Sequence, residues 1–175
     1  MMIDWLPDLL LLETYDSKDK YIEVLYEYFH LDFIVRAPMF RGTKISLKKY
    51  PLSEDGKEAT FWHLITEGHI ERNRILDIRR CERIRWPRPI IENCELNEIK
   101  IWKNKRKGEN RICIWFENAE YLVILAERKG YTLLWTAYPV IMEHRKKKLN
   151  KEYEEYLKAG DAHKGGAVTP STPGR

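Results

Sequence analysis

The chain has 175 residues, of which 43% are hydrophobic and 33% are charged, with 31 lysines and arginines against 27 aspartates and glutamates. This composition is typical of a soluble protein with one packed core, and no apolar run approaches the roughly 20 residues that a membrane span needs. The N-terminus has no basic leader with a small-residue cleavage site, so we expect a cytoplasmic protein that does not contact a membrane.

The charge is distributed unevenly along the chain. The first 35 residues contain eight acids and only two lysines, whereas residues 71–88 contain seven arginines and three acids. Those arginines are Arg72, Arg74, Arg79, Arg80, Arg83, Arg85 and Arg88. Arginine binds phosphate oxygens through two parallel hydrogen bonds and stays charged at any physiological pH. The later part of the chain is therefore expected to bind an anionic partner.

The cysteines give no sign of a metal site. Cys81, Cys94 and Cys113 stand alone, without a CxxC pair or a nearby pair of histidines. We therefore predict no metal, no cofactor and no disulfide.

The first half of the chain predicts one helix and one hairpin. Ser17 or Asp16 is a suitable cap for a helix over residues 17–31, whose apolar residues recur at helical spacing. Residues 45–50 and 59–65 are typical of two strands joined by the turn at 53–56, which places His63 near a strand end.

The second half predicts a helix, a meander and a final helix. Residues 70–85 are helical in pattern, and Pro87 suits the first turn of a short helix that ends near Cys94. Four strands follow, at 98–103, 111–116, 121–128 and 131–140, with connections short enough for antiparallel hairpins. A helix over 143–158 is expected to dock by its aromatic face, and 159–175 to be disordered. The fold class is α+β, with one domain over 1–158.

Candidate catalytic groups fall on the last strand and around His63. Strand alternation places Thr132, Leu134, Thr136 and Tyr138 on one face. If His63 ends a neighbouring strand, an imidazole, a hydroxyl and a phenol meet near Arg80 and Arg83. Such a set is sufficient for RNA cleavage without a metal: a base removes the 2′-hydroxyl proton, an acid protonates the leaving oxygen, and cations stabilise the phosphorane.

Four further residues are candidates for RNA binding. Lys100 and Trp102 share one strand face and offer a cation beside a ring on which bases stack, although Trp102 also fits the edge of the core. Arg79 and Arg85 extend the basic segment. Arg79 also fits a solvated helix face, which is the role expected of Arg72 and Arg74.

A set of motifs resembles a known group of nucleases over roughly residues 5–158. The motifs are Asp55-Gly56-Lys57-Glu58, Phe61-Trp62-His63-Leu64-Ile65-Thr66, Arg80-Cys81-Glu82-Arg83-Ile84-Arg85-Trp86, Pro89-Ile90-Ile91-Glu92 and Thr136-Ala137-Tyr138. Together they resemble phage-associated domains of the barnase, EndoU, colicin and RelE-like nuclease superfamily. The resemblance implies N-terminal helices, a four-stranded antiparallel sheet and a C-terminal helix, and it places His63, Arg83, Thr136 and Tyr138 on motif positions.

The function that this resemblance implies is a metal-independent endoribonuclease of phage or mobile-element origin, acting as a toxin or during infection. RNA is then the partner, with an antitoxin or a host protein as a further one. Two alternatives stay open: a catalytically silent RNA-binding protein on the same fold, and an inhibitor module whose arginines bind an acidic protein. His63, Thr136 and Tyr138 each also fit purely structural roles, and the acidic N-terminal arm fits either a structural cover or a guard over the basic surface.

Overall fold

The architecture is a mixed six-stranded sheet with helices on both faces. The computed structural model describes residues 3–68 and 73–164. Its helices are α1 (Lys18–His30), α2 (Ala59–Ile65), α3 (Ile78–Glu82), α4 (Pro87–Glu92) and α5 (Glu143–Lys164). Its strands are β1 (Met39–Phe40), β2 (Thr43–Leu47), β3 (Thr66–Glu67), β4 (Ile75–Leu76), β5 (Ile99–Arg106), β6 (Glu109–Phe116), β7 (Tyr121–Arg128) and β8 (Tyr131–Pro139).

The predicted meander is confirmed, but the predicted four-stranded antiparallel sheet is wrong. Strands β5 to β8 pair with their sequence neighbours in antiparallel order. The sheet continues beyond β8 in the order β1-β2-β8-β7-β6-β5, and β2 runs parallel to β8. A parallel pair needs a long crossover connection, which local sequence patterns do not reveal. The α+β class holds, with a larger and mixed sheet.

Helix α1 forms where the apolar spacing predicts it. Ser17 caps the helix by accepting a hydrogen bond from the backbone N–H of Lys20 at 3.2 Å. Tyr21, Leu25 and Phe29 form the buried stripe that packs on the sheet. A single π-helical turn, Leu31–Val35, extends the helix and buries Phe33.

Residues 59–65 form helix α2, not the predicted strand. The apolar run is almost continuous, so it fits either structure, and its length alone does not decide. In the structure Phe61, Leu64 and Ile65 are buried at helical spacing, and His63 is half-buried on an adjacent side of the helix. The predicted hairpin is therefore absent, and β2 pairs with β8 instead.

The segment predicted as one helix over 70–85 is divided into several elements. Strands β3 and β4 pair with each other in a small antiparallel ribbon. Helix α3 begins only after Asp77, whose carboxylate accepts hydrogen bonds from the backbone N–H groups of Arg79 and Arg80. Residues 69–72, which include Arg72, lie outside the described residues. The short helix predicted at Pro87 is present as α4.

Strand β8 contains one extra residue. Leu125 of β7 is paired with Leu134, whereas the preceding Ile124 is paired with Thr136, so Trp135 has no partner. Such a bulge reverses the alternation of side chains beyond it. Leu134 packs in one core with Ala137, whereas Trp135 and Tyr138 pack on the opposite face. The prediction that Leu134 shares a face with Thr136 and Tyr138 is therefore wrong.

The two faces of the sheet are covered by different parts of the chain. On the first face, α1, α2, α3 and α4 bury a large core that includes Phe29, Phe61, Ile90 and Val123. On the second face, α5 packs through Leu149 and Tyr153 on a smaller cluster around Trp102 and Trp115. Helix α5 is thus the cover of the second face and leaves part of it open.

Helix α5 confirms the predicted final helix but continues to Lys164, six residues past its predicted end at Lys158. Tyr153 docks against Trp102 with 6.0 Å between ring centroids, as expected for an aromatic face. Tyr156 and Leu157, which were expected on that face, are exposed. Residues 165–175 of the predicted tail lie outside the described residues.

We expect Trp102→Ala to lower the free energy of unfolding by about 3–5 kcal/mol, since the substitution removes a fully buried indole and leaves a cavity beneath α5. The control is Tyr156→Ala, an exposed aromatic on the same helix, for which we expect about 0.5 kcal/mol or less. Urea denaturation monitored by circular dichroism measures both. Equal losses in the two variants would contradict the docking of α5 on Trp102.

Candidate nucleic-acid interface

Four predicted site residues meet at the outer edge of β8. Strand β2 pairs only with Thr132–Leu134, and past that point α2 and α3 lie against β8. The Thr136 hydroxyl donates to the backbone carbonyl of His63 at 3.5 Å. One guanidinium nitrogen of Arg80 donates to the same carbonyl at 3.3 Å and lies 3.5 Å from the Thr136 hydroxyl. His63, Arg80, Thr136 and Tyr138 are thus brought together, although His63 comes from a helix.

Arg80 joins three elements at this edge. Its Nε lies 3.3 Å from a carboxylate oxygen of Asp77, without hydrogen-bond geometry, and its guanidinium carbon lies 4.9 Å from the ring centroid of Tyr138. The side chain is only 14% exposed. Arg80 is therefore committed to contacts within the protein, and its charge acts on the surface mainly through Tyr138 and the field it creates.

Tyr138 is held in its protonated form. Burial raises the pKa of its phenol, and the nearby cations Arg80, Arg106 and Arg145 oppose part of that rise. A phenol with a raised pKa keeps its proton near neutral pH, so it can donate a hydrogen bond or a proton but does not act as a base.

The bulge in β8 brings Trp135 onto the same surface, next to His63. The His63 and Trp135 rings meet edge to face, with 6.5 Å between centroids. The guanidinium groups of Arg111 and Arg128 lie over the indole, at 5.2 Å and 5.8 Å from its centroid. Glu109 contacts both arginines, at 3.7 Å and 3.0 Å. Two cations are thus fixed in position by one ring and one carboxylate.

We call this region the β8 surface: His63, Arg80, Arg111, Arg128, Trp135, Thr136 and Tyr138. Strand register places Arg111 and Arg128 on the face that α5 leaves partly open. The sequence gave no signal for Trp135, because simple alternation assigns it to the opposite face. Arg111 and Arg128 lie in the predicted strands, but their meeting depends on the register of three strands.

The other arginines predicted to contact RNA lie apart from the β8 surface. Arg83 donates to the backbone carbonyl of Arg79 at 3.0 Å, contacts Glu82 at 3.3 Å, and lies over Trp86. Arg79 is exposed on α3. Arg85 lies over the ring of Tyr28, with 4.5 Å to its centroid. Arg83 is therefore tied to its own helix and does not share the contacts of Arg80.

The predicted stacking surface at Lys100 and Trp102 is corrected by the structure. Trp102 is 1% exposed beneath α5, and its indole N–H donates to Glu152 at 3.4 Å. Lys100 forms an ion pair with Glu117 and donates to Asn150 at 2.9 Å. Since α5 covers both residues, Trp102 presents no ring face to RNA and fits the alternative role at the edge of the core.

The acidic N-terminal arm packs as a structural cover. Trp5 stacks on Phe116, with 5.1 Å between centroids, and the Trp86 indole donates to the carbonyl of Pro7 at 2.9 Å. Phe116 belongs to the core on the first face of the sheet, opposite the β8 surface. In the described part of the chain, the arm's acids form no ion pair with the arginines of the β8 surface. This arrangement favours the cover over the guard.

Comparisons with protein-family models, with curated proteins and with solved structures found no match for this chain. Among the described residues, no helix is long and apolar enough to cross a membrane, and no group of three or more His, Cys, Asp or Glu side chains is placed to hold a metal ion.

We expect Arg80→Met to raise the pKa of Tyr138 further, because the guanidinium beside the ring stabilises the phenolate. The pH dependence of the Tyr138 ring signal in NMR spectra measures this change. Arg85→Met is the matched control, since Arg85 lies over Tyr28 instead, and it should leave Tyr138 unchanged. An unchanged Tyr138 pKa in Arg80→Met would show that the two side chains do not interact in solution.

Proposed function

We propose that this protein binds single-stranded RNA on the β8 surface and cleaves it by attack of the ribose 2′-hydroxyl, without a metal. The observation that carries the proposal is the pair of guanidinium groups held over Trp135 directly beside His63. It joins phosphate-binding groups with a side chain of the type that exchanges protons near neutral pH.

The binding step is supported by the fixed position of the two arginines. Arg111 and Arg128 are held by Trp135 and by the shared carboxylate of Glu109, so less side-chain freedom is lost when they bind a phosphate. Arg80, Arg106 and Arg145 add positive charge close enough to affect Tyr138. A concentration of cations with aromatic rings suits the phosphates and bases of an unpaired strand.

The cleavage step assigns one role to each group. His63 takes the proton from the 2′-hydroxyl, and the resulting oxygen attacks the adjacent phosphorus. The bond from phosphorus to the 5′-oxygen breaks, and this oxygen receives a proton from the Tyr138 phenol, which burial keeps protonated. The products are a 2′,3′-cyclic phosphate and a 5′-hydroxyl. Arg80 and Thr136 act as positioning residues, because both contact the His63 carbonyl.

We expect wild-type protein to cut RNA in EDTA and His63→Ala to be slower by roughly 10²- to 10⁴-fold, as is typical for loss of a general acid or base. Product ends analysed by mass spectrometry should carry a 2′,3′-cyclic phosphate. The control is His30→Ala, since His30 lies at the end of α1 beside Tyr26 and should leave the rate unchanged. Equal rates for His63→Ala and wild type would exclude this mechanism.

A second candidate is an RNA-binding protein that does not cut its ligand. The observation that favours it is that Arg80 is committed to Asp77, Tyr138 and the His63 carbonyl, so it has limited capacity to stabilise a phosphorane. This candidate predicts salt-sensitive RNA binding with intact RNA at all times. Absence of RNA binding would instead favour an acidic protein partner.

For either candidate we expect the double substitution Arg111→Gln/Arg128→Gln to weaken RNA binding and to reduce the salt dependence of log K by about two units, one for each lost phosphate contact. Fluorescence anisotropy at several salt concentrations measures both quantities. Arg41→Gln/Arg88→Gln is the matched control, because those arginines pair with Glu95 and Asp32 away from the β8 surface. The same loss in both double variants would show that only overall charge matters.

A further inference from the structure

Tyr131 is an exposed aromatic ring at the other end of β8. It is 47% exposed and is paired in register with Arg128, on the face that carries the β8 surface. The hairpins β5–β6 and β7–β8 both turn at this end of the sheet, at residues 107–108 and 129–130. An exposed phenol therefore lies between two hairpin turns.

Cations surround this ring. Arg106, Lys107 and Lys129 lie at the hairpin ends, and Lys44 precedes Ile45, which is paired with Thr132 next to Tyr131. In the part of the chain that the structure describes, none of these four cations forms an ion pair, whereas the nearby Glu109 is already occupied by Arg111 and Arg128. The ring is thus bordered by positive charge that no protein group neutralises.

The backbone at Lys107 gives a further indication. Lys107 has φ of 50° and Gly108 has φ of 81°, the left-handed conformation of a tight hairpin turn in which Asn-Gly is the favoured pair. A lysine at the first position is disfavoured by the backbone. Its presence there places a cation at the tip of the hairpin.

We infer that Tyr131, with Arg106, Lys107 and Lys129, forms a second nucleotide subsite in which the phenol ring stacks on an RNA base while the cations hold the flanking phosphates. This inference rests on the proposed function. The subsite lies about 15 Å from Thr136 along the strand, at roughly 3.3 Å per residue. A chain that occupies both places runs along β8 in an extended form.

The chemistry favours RNA in single-stranded form over other anionic partners. An acidic peptide or a lipid headgroup needs the cations but gains little from an open ring, whereas every nucleobase has a face that stacks on tyrosine. Bases in a duplex are already stacked and paired, so they do not reach the ring. The subsite therefore adds affinity for unpaired RNA, and with little sequence preference.

The test uses full-length protein and a short fluorescent oligouridylate with 2′-O-methyl groups, which cannot undergo 2′-hydroxyl attack. We expect Tyr131→Ala to weaken binding by about tenfold, the order found for loss of one stacked base. Tyr131→Phe should keep the wild-type affinity, because the ring remains. The control Tyr50→Ala removes a tyrosine that is 71% exposed on the loop after β2, and it should have no effect.

A second measurement addresses the cations. Lys107→Gln/Lys129→Gln should reduce the salt dependence of log K by about two units, whereas Lys18→Gln/Lys49→Gln, on exposed positions outside this sheet face, should not change it. Wild-type binding with unchanged affinity and salt dependence in the Tyr131 and lysine variants would overturn the subsite and leave the proposed function standing. Failure of wild-type protein to bind the oligonucleotide would overturn both.

Discussion

The short parallel pairing between β2 and β8 determines how this protein is built around its candidate site. Because β2 is paired only with Thr132–Leu134, the second half of β8 is met by helices instead of a strand. Arg80 stabilises that junction by reaching the His63 carbonyl, Thr136 and Tyr138 from α3. Without it, α2 would lose its main polar link to β8, and His63 would lose its fixed place beside Trp135.

The electrostatics of the β8 surface follow from how few acids are present there. Glu109 serves two arginines at once, and Asp77 is taken up in capping α3 and in its contact with Arg80. The remaining positive charge is not neutralised within the protein, and burial of Tyr138 lowers the local polarity in which that charge acts. A phosphate chain is the kind of ligand that such a field attracts.

Local periodicity predicted α1, α4, α5 and the four meander strands, because each depends on side chains close in the sequence. It failed where the outcome depends on distant partners. Helix α2 and a strand fit the run at 59–65 equally well, and the sheet that buries Phe61 decides between them. Of the predicted site, His63, Arg80, Thr136 and Tyr138 do come together, whereas Trp102 is covered by α5. The contribution of Trp135 depends on a single unpaired residue that no local pattern shows.

The topology also bears on how the protein matures. The core of the first sheet face joins Tyr21, Phe29 and Phe61 with residues of the meander as late as Ala137. During synthesis the helices of the first half therefore have no sheet to pack on until the last strand has left the ribosome. Contacts between such distant parts of a chain form slowly. The surface around His63 is consequently assembled only when translation of the meander is complete, so nascent chains do not yet present it to the RNA around them.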